Sequence, residues 1–258
     1  MKILCIGDVV GQNGCKFLRE KLPDIKKEYN IDIVIANGEN SAQGNGILPH
    51  SAQYLFDSGV DVITGGNHSF RRREIYDMLD ENPFLLRPAN YPSSAPGRGI
   101  AYIDKGRYIT AVISLLGLVY MNSLDCPFRT ADKLINEAKE NGAKIIIIDF
   151  HAEATAETKA LAFYTDSRIS ALFGTHTHTP TADEQILPGG AGFITDVGMT
   201  GPFLSVLGVN PEKSIEFMKS KLPVRFEYAN SPCHMDTCIF EIDEASGKCI
   251  SVKRLTVE

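Results

Sequence analysis

Short apolar runs, each broken by glycine and a polar cluster, set the rhythm of this chain. Lys2 to Ile6 is the first run, stopped by Gly7-Asp8, so a strand is expected to carry Asp8 at its C-terminal end. Gly7, Gly11 and Gly14 permit a sharp loop after it, at a spacing that fits neither Gly-x-Gly-x-x-Gly nor a P-loop. Phe17, Leu18, Leu22 and Ile25 suit one face of a helix. Ile31 to Ala36 is rich in Ile and Val with little alternation, as in a strand covered on both faces, and it runs into Asn37-Gly38-Glu39-Asn40. Past a flexible Gly44-Asn45-Gly46, a helix is predicted from Pro49 to Ser58 with Tyr54, Leu55 and Phe56 inward. Val60 to Ile63 is the third strand, ending in Gly65-Gly66-Asn67-His68. Successive strand, loop and helix units should therefore bring Asp8, Glu39 with Asn40, and Asn67 with His68 to one edge of a sheet.

The same alternation continues. Arg71-Arg72-Arg73 is expected to open a helix, as a solvated face or as a phosphate contact. Pro83, Pro88, Pro92 and Pro96 break up a loop-rich passage before a hairpin of Ile100 to Ile103 and Tyr108 to Leu116. Ala131 to Lys139 reads as helix, and Lys144 to Ile148 as the most apolar strand, ending Asp149-Phe150-His151-Ala152-Glu153. Thr155 is placed to cap the next helix, with Glu157 in its first turn. Ile169 to Phe173 then leads into Gly174-Thr175-His176-Thr177-His178. A second hairpin is expected from Gln185 to Leu187 and Gly192 to Thr195, then a loop beside the site from Asp196 to Gly201. Asn210-Pro211 marks a helix start, and Val224 to Tyr228, Cys238 to Ile242 and Cys249 to Leu255 read as antiparallel strands. With no repeat or linker in view, residues 1–258 are expected to form a single α/β domain.

Composition narrows the function. Hydrophobic residues make up 43% and charged residues 22%, ordinary for a globular protein with a sizeable core. A net charge of -6 excludes the basic field needed to coat a long nucleic acid, though bound metal would still admit a small anionic substrate. No stretch approaches the roughly 20 apolar residues of a membrane span, and the first apolar run is too short for a signal peptide. The 6 cysteines contain no Cys-x-x-Cys pair and are read as reduced thiols of a cytoplasmic protein, Cys233 and Cys238 beside His234 included. A homo-oligomer is compatible with all of this.

Two histidines one residue apart, directly after a strand, can turn both imidazoles toward one point, and neutral imidazole is a good ligand for transition metals. Asp8, Glu39, Asn40, Asn67, His151, His176 and His178 supply O and N donors at several strand ends. Those donors exceed what one tetrahedral zinc takes. Two ions sharing a carboxylate fit better, and the absence of thiolate leaves iron, manganese, cobalt or zinc, with iron the first expectation. Two ions about 3.5–4 Å apart can bridge a hydroxide and clamp both oxygens of an in-line displacement at phosphorus. The expected chemistry is hydrolysis of a phosphoester.

The strings Gly7-Asp8, Asn37-Gly38-Glu39-Asn40, Gly66-Asn67-His68, Asp149 to Thr155, Gly174 to His178 and Ile194 to Gly201 resemble the calcineurin-like metallophosphoesterase superfamily. More closely, the chain is similar nearly end to end to its YmdB-like branch, the 2′,3′-cyclic-nucleotide 2′-phosphodiesterases. The resemblance implies a four-layer α/β/β/α sandwich with two mixed sheets flanked by helices. Val10 stands where the wider superfamily has a histidine, and Glu39 where it has a bridging aspartate; both departures resemble the YmdB-like branch, in which an asparagine at the place of Asn40 replaces the missing ligand. One ion is then implied at Asp8, Glu39, Asn40 and His178, the other at Glu39, Asn67, His151 and His176. His68 is assigned as the general acid that protonates a departing alkoxide, with Thr175, Thr177 and Asp149 orienting the imidazoles. The implied activity is hydrolysis of small cyclic nucleotides of the 2′,3′-cyclic AMP type to a 3′-nucleotide by a metal-bridging hydroxide. A broad phosphomonoesterase or nucleotidase, and a regulatory protein that senses a nucleotide, are the alternatives; specificity is expected from loops such as Ser41 to Leu48 and Ser93 to Arg98.

Overall fold

In a computed structural model that describes every residue from Met1 to Glu258, the apolar runs become two mixed sheets. The N-terminal part contributes β1 (Lys2–Ile6), β2 (Asp8–Val9), α1 (Gly11–Tyr29), β3 (Ile33–Asn37), α2 (Pro49–Asp57), β4 (Val62–Thr64) and α3 (Tyr76–Glu81). The middle contributes β5 (Ile100–Asp104), β6 (Ile109–Leu116), α4 (Pro127–Glu140), β7 (Ala143–His151), α5 (Thr155–Thr165), β8 (Ala171–Thr175), β9 (Gln185–Ile186) and β10 (Gly192–Ile194). The chain then returns to the first sheet with β11 (Met199–Pro202), α6 (Pro211–Ser220), β12 (Cys233–Ile242) and β13 (Cys249–Val257).

The first sheet runs β2-β11-β12-β1-β3-β4, with β13 paired on β12, and the second runs β5-β6-β7-β8-β10-β9. β1, β3 and β4 are parallel, as are β6, β7, β8 and β10; the hairpin strands β5 and β9 close the second sheet in antiparallel fashion. Both hairpins lie where the sequence pattern puts them.

Strand alternation sorts the apolar side chains into layers. Leu4, Ile6, Val34 and Ala36 pack on Leu18, Leu22 and Leu55 of α1 and α2. Their neighbours Ile3, Cys5, Ile33 and Ile35 turn to the other face and meet Ile147, Phe173, Ile194 and Phe240 between the sheets. Ile146, Ile148 and Phe150 point outward again, onto Ile135 of α4 and Leu161 of α5. This is the expected four-layer α/β/β/α sandwich. Strands covered on both faces explain why their sequences read as unbroken apolar runs.

Parallel pairing aligns the strand ends. Asn37 lies opposite Thr64 and His151 opposite Thr175, so the residues just past β3, β4, β7 and β8 emerge along one edge. Gly7 ends β1, and Asp8 sits in the two-residue β2 beside Met199.

Several expectations are corrected. α2 buries Ser51, Ala52 and Leu55, while Tyr54 and Phe56 stay half-buried, because the contact stripe is set by the small side chains that fit against the sheet. The arginine triplet opens no α-helix: Arg73 begins a 3-10 turn, and the Arg72 guanidinium donates to the carbonyls of Gln43 (2.7 Å) and Asn45 (3.2 Å), tying down that loop. Thr155 is the first helical residue and caps nothing; Ala154 is the N-cap, and the Glu157 carboxylate instead accepts the amides of Leu118 (2.9 Å) and Val119 (3.1 Å). Met199 to Pro202 is a strand rather than a loop. Val224 to Tyr228 is no strand, since its one pairing is an isolated bridge from Tyr228 to Val209, and Phe226 turns to stack edge-on against Phe217. All the cysteines are free, and His234 pairs with Asp236 at 3.0 Å. No helix is long and apolar enough to cross a membrane.

Phe240 is fully buried between the sheets. Phe240→Ala is expected to cost about 3–5 kcal/mol of unfolding free energy in urea titration, the range for emptying a large core site.

Candidate metal centre

The edge carries two acidic groups with almost no solvent access: Asp8 at 0% and Glu39 at 1% exposure. Isolated carboxylates so placed would protonate unless positive charge or hydrogen bonds met them. Burial does oppose their charge, yet His178 and His151 hold the Asp8 carboxyl well below the usual range, and His151 does the same for Glu39. The ring atoms that achieve this are close. His151 Nε2 lies 3.1 Å from Glu39 Oε1, 3.0 Å from Asn67 Oδ1 and 3.0 Å from His176 Nδ1. His178 Nε2 lies 3.5 Å from Asp8 Oδ1 and 3.4 Å from the Asn40 amide nitrogen. Ligand atoms of Glu39, His151 and His176 all fall within 4.8 Å of one another.

The outer nitrogen of each imidazole shows what the inner one must be. His178 Nδ1 is 3.1 Å from the Leu207 carbonyl, which can only accept, so that nitrogen carries hydrogen. His176 Nε2 faces the Glu153 carboxylate at 3.1 Å and carries hydrogen for the same reason. His151 Nδ1 faces Thr175 Oγ1 at 2.9 Å; the threonine hydroxyl donates its own proton to Asp149 Oδ1 (2.8 Å) and so accepts from the ring. In the neutral rings, all three inner nitrogens are therefore lone pairs. That of His151 is aimed at Glu39 Oε1, Asn67 Oδ1 and the lone pair of His176 Nδ1, and that of His178 at Asp8 Oδ1, all of them acceptors as well. Acceptors gathered at about 3 Å are favourable only around a cation or a captured proton. The residues present fit a metal, with outer partners that fix each tautomer as metal-binding histidines require.

Without an ion, protons fill the role. Burial resists charge on His151, but Glu39, Asp8 and Asp149 outweigh it and raise the ring's pKa to about 9; Asp8 likewise outweighs burial and raises His178. His176 is pushed down by burial and by the charge of His151.

The expected donors are brought together. Asp8, Asn40 and His178 are in mutual contact, Asn67 and His176 both meet His151, and Asn40 and His151 both approach Glu39 Oε1. Asn40 is oriented with its amide nitrogen toward Asp8 Oδ1 (3.2 Å) and its oxygen toward His68 Nδ1 (2.8 Å). His68 sits beside the cluster, its backbone N–H donating to Glu39 Oε2 at 2.7 Å.

Backbone shape makes the convergence possible. His176 and His178 both have positive φ, at 114° and 60°, a strained turn for non-glycine residues. Asp196 holds that turn by accepting from the Thr177 amide and hydroxyl (2.9 Å each) and from the Gly198 amide (2.8 Å). Burial and the nearby Asp8 push its pKa up to about 7. Gly66 must lack a side chain, because a Cβ there would lie 2.4 Å from His151 Nε2 and 2.5 Å from Glu39 Oε2. Asp149 also takes the Thr64 hydroxyl, and burial raises its pKa to about 6. Glu153 and the Leu207 carbonyl were not singled out from the sequence. The first stands two residues after His151, a signal available in principle; the second, a backbone atom on a remote segment, has none.

Comparison with known proteins agrees in fold and length. A model of the YmdB-like protein family matches residues 4–255. The chain is 45% identical over 257 residues to a Bacillus subtilis (strain 168) protein named 2′,3′-cyclic-nucleotide 2′-phosphodiesterase, covering 100% of this chain and 97% of the relative. A solved protein of Thermus thermophilus, described as hypothetical, superposes with a TM-score of 0.93 at 37% identity, covering 99% of this chain and 98% of its own. A solved Mycoplasma pneumoniae protein, described as a novel phosphatase, superposes with a TM-score of 0.93 at 32% identity, covering 100% of this chain and 93% of its own.

Because His151 surrenders its captured proton to an ion, metal affinity is expected to rise with pH up to about 9 and then level off. Calorimetry in buffers of different ionisation enthalpy checks the accompanying proton release. Glu153→Gln, which removes the charge on the outer side of His176, is expected to lower metal affinity about 10-fold, the mild end of such effects.

Proposed function

The chain belongs to the YmdB-like family, and on that premise we propose that it is a metal-dependent phosphodiesterase that opens small 2′,3′-cyclic nucleotides to 3′-nucleotides. The observation that carries this reading is the set of three imidazoles with outer nitrogens pinned and inner lone pairs converging on two buried carboxylates. Asp8, Glu39, Asn40 and His178 would hold one ion, and Glu39, Asn67, His151 and His176 the other, with Glu39 shared. A donor set free of thiolate suits iron, manganese, cobalt or zinc. Bound there, the ions would supply positive charge to the phosphate oxygens and lower the pKa of a shared water.

The chain's own groups do the rest. Asn40 would ligate through its oxygen, the only acceptor of its side chain, which here faces His68 Nδ1 at 2.8 Å. In its protonated form His68 would give its Nε2 hydrogen to the departing 2′-oxygen as the P–O2′ bond breaks, remaining as a neutral ring with hydrogen on Nδ1 facing the Asn40 oxygen. Burial lowers the ring's pKa, which favours release of the proton. The Arg72 guanidinium donates to the Gln43 and Asn45 carbonyls and the Tyr228 hydroxyl to that of Ala42 at 2.9 Å, so the first half of the expected specificity loop is tied to two other segments.

Product analysis on 2′,3′-cyclic AMP, 3′,5′-cyclic AMP and a phosphomonoester tests the reading. The 3′-nucleotide from the first substrate is expected to dominate. Faster turnover of the monoester would favour a phosphatase, and binding without turnover a nucleotide sensor. His68→Ala is expected to lower kcat by about 10²–10⁴ with metal content unchanged by elemental analysis; loss of metal in that variant would make His68 a ligand.

A further inference from the structure

Arg87 is a buried cation with no acidic partner in the protein. Only 6% of the residue is exposed, and burial lowers its pKa with no carboxylate to offset it. A charge withdrawn from water in this way is normally met by a counter-charge. Its Nη1 donates to the carbonyls of Pro88 (2.9 Å) and Ala89 (3.1 Å), which engages both hydrogens of that nitrogen. Nε is sealed from solvent and has no acceptor, and Nη2 makes no hydrogen bond either. The Nε–H and the Nη2–H beside it form the parallel fork with which a guanidinium takes two oxygens of one carboxylate or phosphate. That fork meets no acceptor of the chain itself.

The segment that carries Arg87 runs along the edge on which the metal ligands stand. The Leu86 amide donates to the carbonyl of Ile63 in the first sheet and the Ala89 amide to that of Ser114 in the second, both at 2.8 Å. The Asn90 side chain then brackets Leu116, accepting from its amide at 2.9 Å and donating to its carbonyl at 2.8 Å, and Leu116 is paired with His151. On the first sheet, a Cβ at Gly65 would lie 3.0 Å from the Leu86 carbonyl oxygen, and the next residue, Gly66, abuts His151 and Glu39. Tyr91 closes the segment with its ring edge-on to that of Phe70 at 5.0 Å, two residues past His68. Burial and the charge of Glu39 raise the pKa of the Tyr91 hydroxyl, so the cluster is within electrostatic reach. Arg87 thus stands on the His68 side of the metal centre, where the departing oxygen would carry the nucleoside.

The chemistry of the fork selects its ligand. Water can accept from one of these donors but leaves the positive charge uncompensated. An oxyanion answers both the charge and the paired geometry. Arg71, whose charge is felt at Tyr91 and at His68, also has no carboxylate partner. In a chain of net charge -6, positive charge gathered without counter-ions on one side of the site suits a doubly charged anion such as a phosphate monoester. That group has two sources: the 5′-phosphate of a nucleotide seated at the metal centre, or a free phosphate bound alongside it.

We propose that Arg87 anchors an oxyanion site for a phosphate monoester group, beside the metal centre on its His68 side. The site stands on the geometry of Arg87; its use by the substrate's own 5′-phosphate rests on the phosphodiesterase reading. In equilibrium dialysis of the metal-loaded protein against inorganic phosphate, Arg87→Met is expected to bind about one phosphate per chain fewer than the wild type, with metal content unchanged. Arg87→Lys keeps the charge but not the fork, and the lost charged hydrogen bond is expected to weaken phosphate binding about 10-fold. That variant carries the test if the methionine variant fails to fold. Turnover of 2′,3′-cyclic AMP with and without a 5′-phosphate separates the two sources. If the substrate supplies the anion, the 5′-phosphorylated form is preferred in kcat/KM by about 10-fold, and Arg87→Met abolishes the preference. If the phosphate is free, both forms turn over alike in either protein and only the dialysis result changes. Phosphate binding and substrate preference that are both indifferent to Arg87→Met and Arg87→Lys overturn the proposal and leave Arg87 a brace for its own turn. Absence of turnover on either cyclic nucleotide overturns the phosphodiesterase reading instead, and dialysis still decides the site.

Discussion

Asp8 and Glu39 are negative charges withdrawn from water, and much of the molecule is arranged to make that tolerable. Neither could persist as a lone carboxylate in such surroundings. The compensation comes from His151 and His178, which are carried by other strands, and from amides of His68 and His176 that donate into the same carboxylates. Each of those donors has to arrive within hydrogen-bonding distance of a group far away in sequence. The parallel registers of β1 with β3 and of β7 with β8, and the packed layer between the sheets, bring them there. The apolar core and the polar cluster are thus two halves of one construction, the first setting positions that the second requires to fractions of an ångström.

Around the cluster lies a shell of groups that never approach the shared centre yet decide its chemistry. Thr175 and Asp149 act through His151, Glu153 through His176, and the Leu207 carbonyl through His178. Asp196 acts through the backbone, by holding a turn that would relax if its acceptors were lost. Burial and the nearby charge of Asp8, which together raise the pKa of Asp196, reflect the same crowding of acidic groups.

Most of the first tier was legible in the chain because it follows from local pattern. An apolar run of five or so residues that ends in glycine and a polar cluster identifies a strand and its C-terminal edge, and Asp8, Glu39, Asn67, His151 and His176 all stand at such ends. What was not legible depends on contacts across the fold. Val224 to Tyr228 has the composition of a strand but meets its neighbour near Val209 through only one isolated bridge, so β propensity went unused. Arg72 reads as a solvated charge until the Gln43 loop is folded against it. Thr155 looks like a cap, but the geometry gives that place to Ala154. Tautomers are the clearest case: the hydrogen on His178 Nδ1 is decided by a carbonyl 29 residues away, and nothing near the histidine announces it.

That carbonyl belongs to Leu207, whose own side chain is half open to solvent on the limb that leaves the sandwich. The cage around the carboxylates is therefore not sealed off from the periphery. A shift of the outer limb by about an ångström would stretch the hydrogen bond that keeps hydrogen on His178 Nδ1, so the periphery and the buried carboxylates are one peptide unit and one hydrogen bond apart.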